Sequence, residues 1–552
     1  MREVRVELGL LVSSILYFVL LLTLPVQHFG DTSYYVSDIK KYAETGDPAL
    51  LWEAGHLLWR PTGYAAAFAS GYITQRPFED SHILSVLTAL NGVLGWLFVT
   101  STYLTARHFT SQTISSCVAI SAAITNAFVN YTQSGCSYVP GLAFLGLATY
   151  NAVKVSAKSS RWNSVAFSLC LALAVLLWLP YVIVLPSLVT LFALRHQENG
   201  ILVSKALRSL AATVVLILCA YLVALWSADI SSLSEATEWL RESSHGITHE
   251  RGVHRAVFGF ARSFVYLGDD GNLFKRFLVR DPFNPVSFAE LVRTSLMKLA
   301  IFYMWLAVLL HAIWRYTTND IRVSAFVAII CVLAFAVYWQ GGDLERYFPL
   351  FPLLAAATAA TLRHDGKSKR LLTTVNIAFA VIMIVSNIIL RTTELHDLQE
   401  KFQNRVRTVC HLLLSGHLQP DDLMILATPH DELFQARANF RDTQLSALKL
   451  THPIWVGHRD APRWRSQVSR RVFDTWLKGS QVWVSKRLLA EKPKASWKWV
   501  EGDDPRVSWK DIHSFFASLQ YGKVIGGEDG FYQLSRTPTN ERLLKRWEKS
   551  KP

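Results

Sequence analysis

Paired cysteines, nucleotide-binding fingerprints and charge within its apolar runs are what this 552-residue chain lacks. Its six cysteines are scattered. Cys117, Cys170, Cys219 and Cys331 lie in apolar stretches, while Cys136 and Cys410 fall in a loop and in the tail. That pattern gives neither a disulfide framework nor a cysteine-based zinc motif. There is no phosphate-binding glycine loop, no Rossmann glycine fingerprint and no Asp-x-Asp pair of the nucleotide-sugar type. Long-range repeats and low-complexity segments are absent too. The formal charge of +14 would suggest nucleic acid in a soluble chain. Here much of it sits in short loops between apolar runs, so no nucleic-acid partner is expected.

What the chain does have is apolar length. Uncharged runs cover Leu8–Gly30, Ile83–Ala106, Phe109–Val153, Trp162–Leu194, Ser209–Ala228, Leu299–Trp314, Val323–Gly342, Phe348–Leu362 and Leu371–Leu390. One crossing of a bilayer takes about 20 apolar residues. Phe109–Val153 is long enough for two crossings, hinged at Asn130-Tyr131-Thr132-Gln133-Ser134-Gly135. Trp162–Leu194 has room for two short ones, hinged at Leu179-Pro180, because proline breaks the helix ladder. The expected fold is mainly α: a polytopic membrane domain over residues 1–391 with about 11 transmembrane helices. No small-residue cleavage site follows the first run, so it is expected to stay as an anchor.

The positive-inside rule tests that count. With about eleven crossings, Arg2/Arg5, Arg107, Lys154/Lys158/Arg161, Arg195/Lys205/Arg208, Arg315/Arg322 and Arg363/Lys367/Lys369/Arg370 all fall on the cytoplasmic side. The N-terminus is then cytoplasmic, in a plasma (inner) membrane. Loops over about 27–82 and 229–295 lie outside, as does the tail over 392–552. Segments 422–427, 481–485 and 530–535 of the tail suggest strands, and Glu432–Asn439 and Ser466–Leu477 suggest helices. The tail is thus expected to be a small extracytoplasmic α/β domain.

Asp31 stands five residues past Val26, the last residue of the first long apolar stretch. A carboxylate there sits at the water–lipid boundary, within reach of an aqueous acceptor and a lipid-borne donor. Tyr35, Val36, Ile39, Tyr42 and Ala43 repeat at helical spacing, which predicts an interfacial helix over 33–45 ended by Gly46. Asp38 lies seven residues beyond Asp31 and can share its face. Glu53, His56 and Arg60 follow, the last two in Gly55-His56-Leu57-Leu58-Trp59-Arg60-Pro61. A second charged cluster, Asp343-Leu344-Glu345-Arg346-Tyr347, closes a late apolar run.

Stretches Gly30–Asp47, Gly55–Pro61 and Gly341–Pro352 resemble motifs of the GT-C superfamily of membrane glycosyltransferases. Such elements recur in its protein mannosyltransferase and lipid A aminoarabinose transferase branches. Their first external loop carries a catalytic acid, and many carry an E-R-Y-x-x-P-x-x-P element near a late crossing. In this chain the prolines of that element fall one position earlier, at Pro349 and Pro352. The second acid found in several branches has no counterpart at Asn130–Pro140.

The resemblance implies transfer of a sugar from a polyprenyl-phosphate donor to a glycan, lipid or protein acceptor at the external face. Asp31 is the expected general base, supported by Asp38, Glu53 and His56. Arg60 and Arg346 are the candidate phosphate ligands, with Glu345 and Tyr347 completing the motif.

Simpler roles stand beside these. Asp31 fits a helix cap, Asp38 a solvated face, and the two arginines headgroup anchors. No cofactor is certain from the sequence, and a divalent metal is the possible one. A divalent metal has only weak candidates in His245 and His249, four residues apart. Asn130-Tyr131-Thr132 has the form of a glycosylation site. Membrane lipids are expected partners. The rival functions are a transporter or flippase of a lipid-linked saccharide, and a non-catalytic subunit of a glycan-assembly complex.

Overall fold

The computed structural model describes residues 7–24, 31–74, 78–154, 161–198, 204–242, 251–268, 273–274, 277, 286–363, 367–393, 411–412, 414–419, 421–426, 446–449, 464–489, 509–527 and 530–548. Helix α1 (Leu8–Thr23) is apolar, and Leu8, Leu11, Ile15, Val19 and Leu22 face outward. An outward apolar row suits lipid as solvent. Helix α2 (Thr32–Thr45) buries Tyr35, Val36 and Ile39 completely. It stops at Gly46, whose φ of 72° is a left-handed conformation that glycine adopts without steric cost. Two 3₁₀ turns, Pro48–Leu50 and Ala54–His56, lead into α3 (Trp59–Thr74) and α4 (Asp80–Arg107).

The long run Phe109–Val153 forms three helices: α5 (Gln112–Ala123), α6 (Asn126–Tyr131) and α7 (Tyr138–Val153). One break lies at the expected hinge, between α6 and α7. Another, at Ile124 and Thr125, was not expected. The second long run breaks where Pro180 denies it a backbone donor. Helix α8 (Arg161–Leu177) ends at Trp178, which is extended with φ −153°. A 3₁₀ turn over Leu179–Val184 then enters α9 (Leu185–Glu198).

Helices α10 (Ser204–Ser227), α11 (Leu233–Glu242) and α12 (Val253–Phe264) follow. Helix α13 (Phe288–Tyr316) contains a π turn, and α14 (Asn319–Tyr338) leads to a 3₁₀ turn at Leu344–Leu350. The bundle closes with α15 (Phe351–Thr361) and α16 (Lys367–Met383), which runs on as a π stretch over Ile384–Leu390.

Among the described residues, α4, α10, α13, α14 and α16 are long and apolar enough to cross a membrane. Helices α1, α5 and α8, and α9 with its preceding turn, are apolar but shorter. The chain is a membrane protein. Its core is aromatic and aliphatic, with Phe98, Phe128, Phe167, Phe192 and Phe302 at its centre. Some polar groups inside it tie helices together. Ser187 Oγ donates to Ser324 O at 2.6 Å, and the buried Asp320 carboxylate holds Arg195, tying α9 to α14.

The tail carries a five-stranded sheet. Its strands are β1 (Leu423–Leu426), β2 (Ser446–Lys449), β3 (Val482–Ser485), β4 (Tyr521–Ile525) and β5 (Phe531–Leu534), in the order β2-β1-β3-β5-β4. β1 is parallel to β2 and β3, and β5 is antiparallel to β3 and β4. β1 and β3 are buried along their described length, as continuous apolar strands should be. Helices α17 (Trp464–Leu477), α18 (Trp509–Ala517) and α19 (Pro538–Glu548) complete it, with Val468, Val472, Phe516 and Leu544 in the core. Buried Asp422 secures β1 to β3 by accepting from Gln481 N at 2.8 Å and Trp483 Nε1 at 3.0 Å. The three expected strands and the helix at 466–477 are present, whereas Glu432–Asn439 lies outside the described residues.

Candidate active site

Asp31 occupies the N-cap position of α2, but its side chain makes no capping hydrogen bond. The carboxylate turns toward the bundle instead. Its Oδ2 accepts from Tyr138 Oη at 3.1 Å and lies 3.5 Å from Tyr35 Oη. His56 Nε2 stands 3.8 Å from the same oxygen, a charge contact when the imidazole is protonated. The histidine is held from behind: the Leu177 carbonyl accepts from Nδ1 at 3.4 Å, and Ser137 Oγ sits against the same nitrogen. Both contacts meet Nδ1, which leaves Nε2 directed at Asp31. With the carboxylate only 21% exposed, its contacts work in a partly dried setting.

The hinge between α6 and α7 is built into this corner. Trp59 Nε1 donates to Gly135 O at 2.9 Å, and Thr32 Oγ1 bonds to Ser134 O. Both bonds draw the first loop against the hinge. The Tyr131 and Tyr138 rings meet edge to face at 5.0 Å. Tyr138 also meets Trp178 edge-on at 5.2 Å, where the break after α8 exposes the indole to the site.

On the far side of these rings lies the late charged cluster, more than 300 residues away in sequence. Glu345 Oε2 accepts from Tyr131 Oη at 2.7 Å. Arg346 Cζ lies 5.8 Å from the centroid of Trp178, over its ring. Its Nη2 donates to Gln340 Oε1 at 2.7 Å, with Asp343 Oδ2 at 3.5 Å and Glu345 Oε1 at 3.7 Å. The Nε of Arg346 is buried without a hydrogen-bond partner among the described residues. Burial, reinforced by nearby Asp343 and opposed by Arg346, pushes the Glu345 carboxyl up to about 7.

The remaining candidates are placed differently. Arg60 Nη2 lies 3.0 Å from both Asp38 Oδ2 and Glu53 Oε2, and its Nη1 donates to Leu50 O. This clamp is well buried and sits behind Tyr35, whose ring centroid is 5.7 Å from the guanidinium. Asp38 is therefore an ion-pair partner rather than a solvated face. Two carboxylates of the first loop are thus engaged by Arg60. No group of three or more metal-ligating side chains occurs among the described residues, and His245 and His249 lie outside them. Tyr347 is fully buried, its hydroxyl 2.7 Å from Ala256 O and from Gly341 O, so it braces the loop. Asn130 is buried and bonded to Arg391, which opposes its use as a glycosylation site.

Tyr131, Ser137, Tyr138, Trp178 and Gln340 were not among the sequence candidates. The hinge at 130–135, the break at Pro180 and, for Gln340, the adjoining Gly341–Pro352 stretch were the signals near them.

No family profile matches the sequence, and no curated protein matches it. The structure does have relatives. ArnT from Cupriavidus metallidurans bound to undecaprenyl phosphate superposes with a TM-score of 0.55 at 11% identity, covering 96% of this chain and 98% of that one. The apo oligosaccharyltransferase from Archaeoglobus fulgidus gives 0.50 at 13% identity, covering 97% and 75%. This chain therefore shares its fold with ArnT and with the archaeal oligosaccharyltransferase.

Proposed function

We propose that this chain is a membrane glycosyltransferase that moves a sugar from a polyprenyl-phosphate donor to a hydroxyl-bearing glycan, lipid or protein acceptor. One observation carries the reading: the Tyr138–Trp178 wall joins the Asp31 carboxylate to the Arg346 guanidinium in a single corner of the bundle. A base and a phosphate-binding cation are the two groups this transfer needs. The likeness to ArnT bound to undecaprenyl phosphate supports a lipid-phosphate donor.

In this mechanism Asp31 takes the proton of the acceptor hydroxyl as its oxygen bonds to the anomeric carbon. The bond from that carbon to the phosphate oxygen breaks, and its electron pair leaves on the phosphate. Arg346 meets the charge that develops there, with its unpartnered Nε as a ready donor. Tyr138 and His56 orient the carboxylate. Arg60, already neutralised by Asp38 and Glu53, shapes the first loop and leaves the phosphate to Arg346.

The topology we favour has about eleven crossings, the N-terminus cytoplasmic, and the corner and the α/β domain from residue 392 on the external side. The enzyme then works on the outer face of a plasma (inner) membrane.

The test is reconstitution in vesicles with lipid-linked sugars extracted from the host membrane. Release of free polyprenyl phosphate together with a glycosylated acceptor is expected. Movement of intact lipid-linked sugar across the bilayer, with no release, would instead identify a flippase.

A further inference from the structure

Between α14 and the 3₁₀ turn that bears Arg346, the chain reverses through Trp339, Gln340, Gly341 and Gly342. Gln340 has φ 45°, in the left-handed region where a residue with a Cβ is strained. Glycine relieves such strain, and two glycines follow immediately, yet this position holds glutamine. Among the described residues only Asp229 shares a positive φ without being glycine.

The glutamine side chain gives the reason. Its amide oxygen makes the shortest contact to Arg346, 2.7 Å against 3.5 Å for Asp343 and 3.7 Å for Glu345. An amide oxygen is neutral. It fixes one edge of a guanidinium without cancelling the charge that an incoming anion needs. The loop is rigid enough to bear this: Asp343 N donates to Gln340 O at 3.0 Å, and Arg262 Nη1 donates to Gly342 O at 2.8 Å.

We propose that Gln340 is the positioning residue for Arg346. Its strained backbone places an uncharged acceptor that aims the guanidinium over Trp178 without cancelling its charge. This inference rests on Arg346 being the phosphate ligand.

The experiment measures affinity for undecaprenyl phosphate and thermal midpoint on the purified full chain in detergent. The variants are Gln340→Gly, Gln340→Asn and Arg346→Ala. Glycine and asparagine both tolerate the left-handed backbone; glycine lacks the amide, and asparagine is one methylene too short to reach. The two readouts should part. In both Gln340 variants the midpoint stays level or rises, while affinity falls about tenfold, the worth of a hydrogen bond to a charged group. A purely structural role predicts unchanged affinity, or affinity that falls only with a falling midpoint, and either result overturns the inference. If Arg346→Ala binds as tightly as the unaltered chain, the phosphate-ligand reading fails and this inference with it. If Arg346→Ala loses binding but the Gln340 variants keep it, only the role of Gln340 is lost.

Discussion

Glu345 puts a carboxylic acid where water scarcely reaches, 4% exposed and bonded to Tyr131. Its raised value means that the folded chain binds a proton the unfolded chain releases. Stability linked to this group is therefore full below the ordinary carboxyl range and falls as pH rises toward about 7. Glu345→Gln keeps an acceptor for Tyr131 and removes the titration. Melting curves at about pH 5 and about pH 8 should show a smaller loss for the variant than for the unaltered chain. An equal loss in both would assign the pH dependence elsewhere. Arg60 shows the opposite economy: two carboxylates at 3.0 Å make it a brace for the loop behind Asp31.

At the scale of elements, the site depends on how closely α12 crosses the Gly341–Gly342 loop. A Cβ added at Gly259 would overlap the Gly341 carbonyl oxygen, and both sides of that contact are backbone. Tyr347 binds across the same crossing, bonding to Ala256 on one side and Gly341 on the other. Gly259→Val must push the elements apart, with an expected cost of about 1–3 kcal/mol for overpacking and a displaced Arg346. Gly342→Ala is the matched control, since nothing lies within 4 Å of its Cβ position. Thermal midpoints and phosphate-lipid binding should fall for the first variant and hold for the second. If both behave alike, the close crossing has no bearing on the site.

Across the whole molecule, local chemistry was legible and long-range convergence was not. Apolar length announced the membrane helices, Gly46 the end of α2, and Pro180 the break after α8. The mainly helical fold class followed from those signals, and the residues near Asp31 and Glu345 carried the sequence resemblance. The partnership of Asp31 with Tyr138 spans 107 positions, and that of Tyr131 with Glu345 spans 214. No periodicity reports such pairs, because they depend on how helices pack. Strand β2, four residues reading Ser-Ala-Leu-Lys, lacks the β-branched and aromatic signature and was invisible for that reason. The same packing brings the Asp31 carboxylate and the Arg346 guanidinium to one corner, on which the proposed mechanism depends. The decisive measurement is the turnover of polyprenyl-phosphate-linked sugar by purified Asp31→Asn in vesicles, beside its binding of undecaprenyl phosphate. Loss of the positioned base should lower turnover about 10²–10⁴-fold while binding is retained. Turnover equal to that of the unaltered chain, in protein that melts normally, would contradict the mechanism.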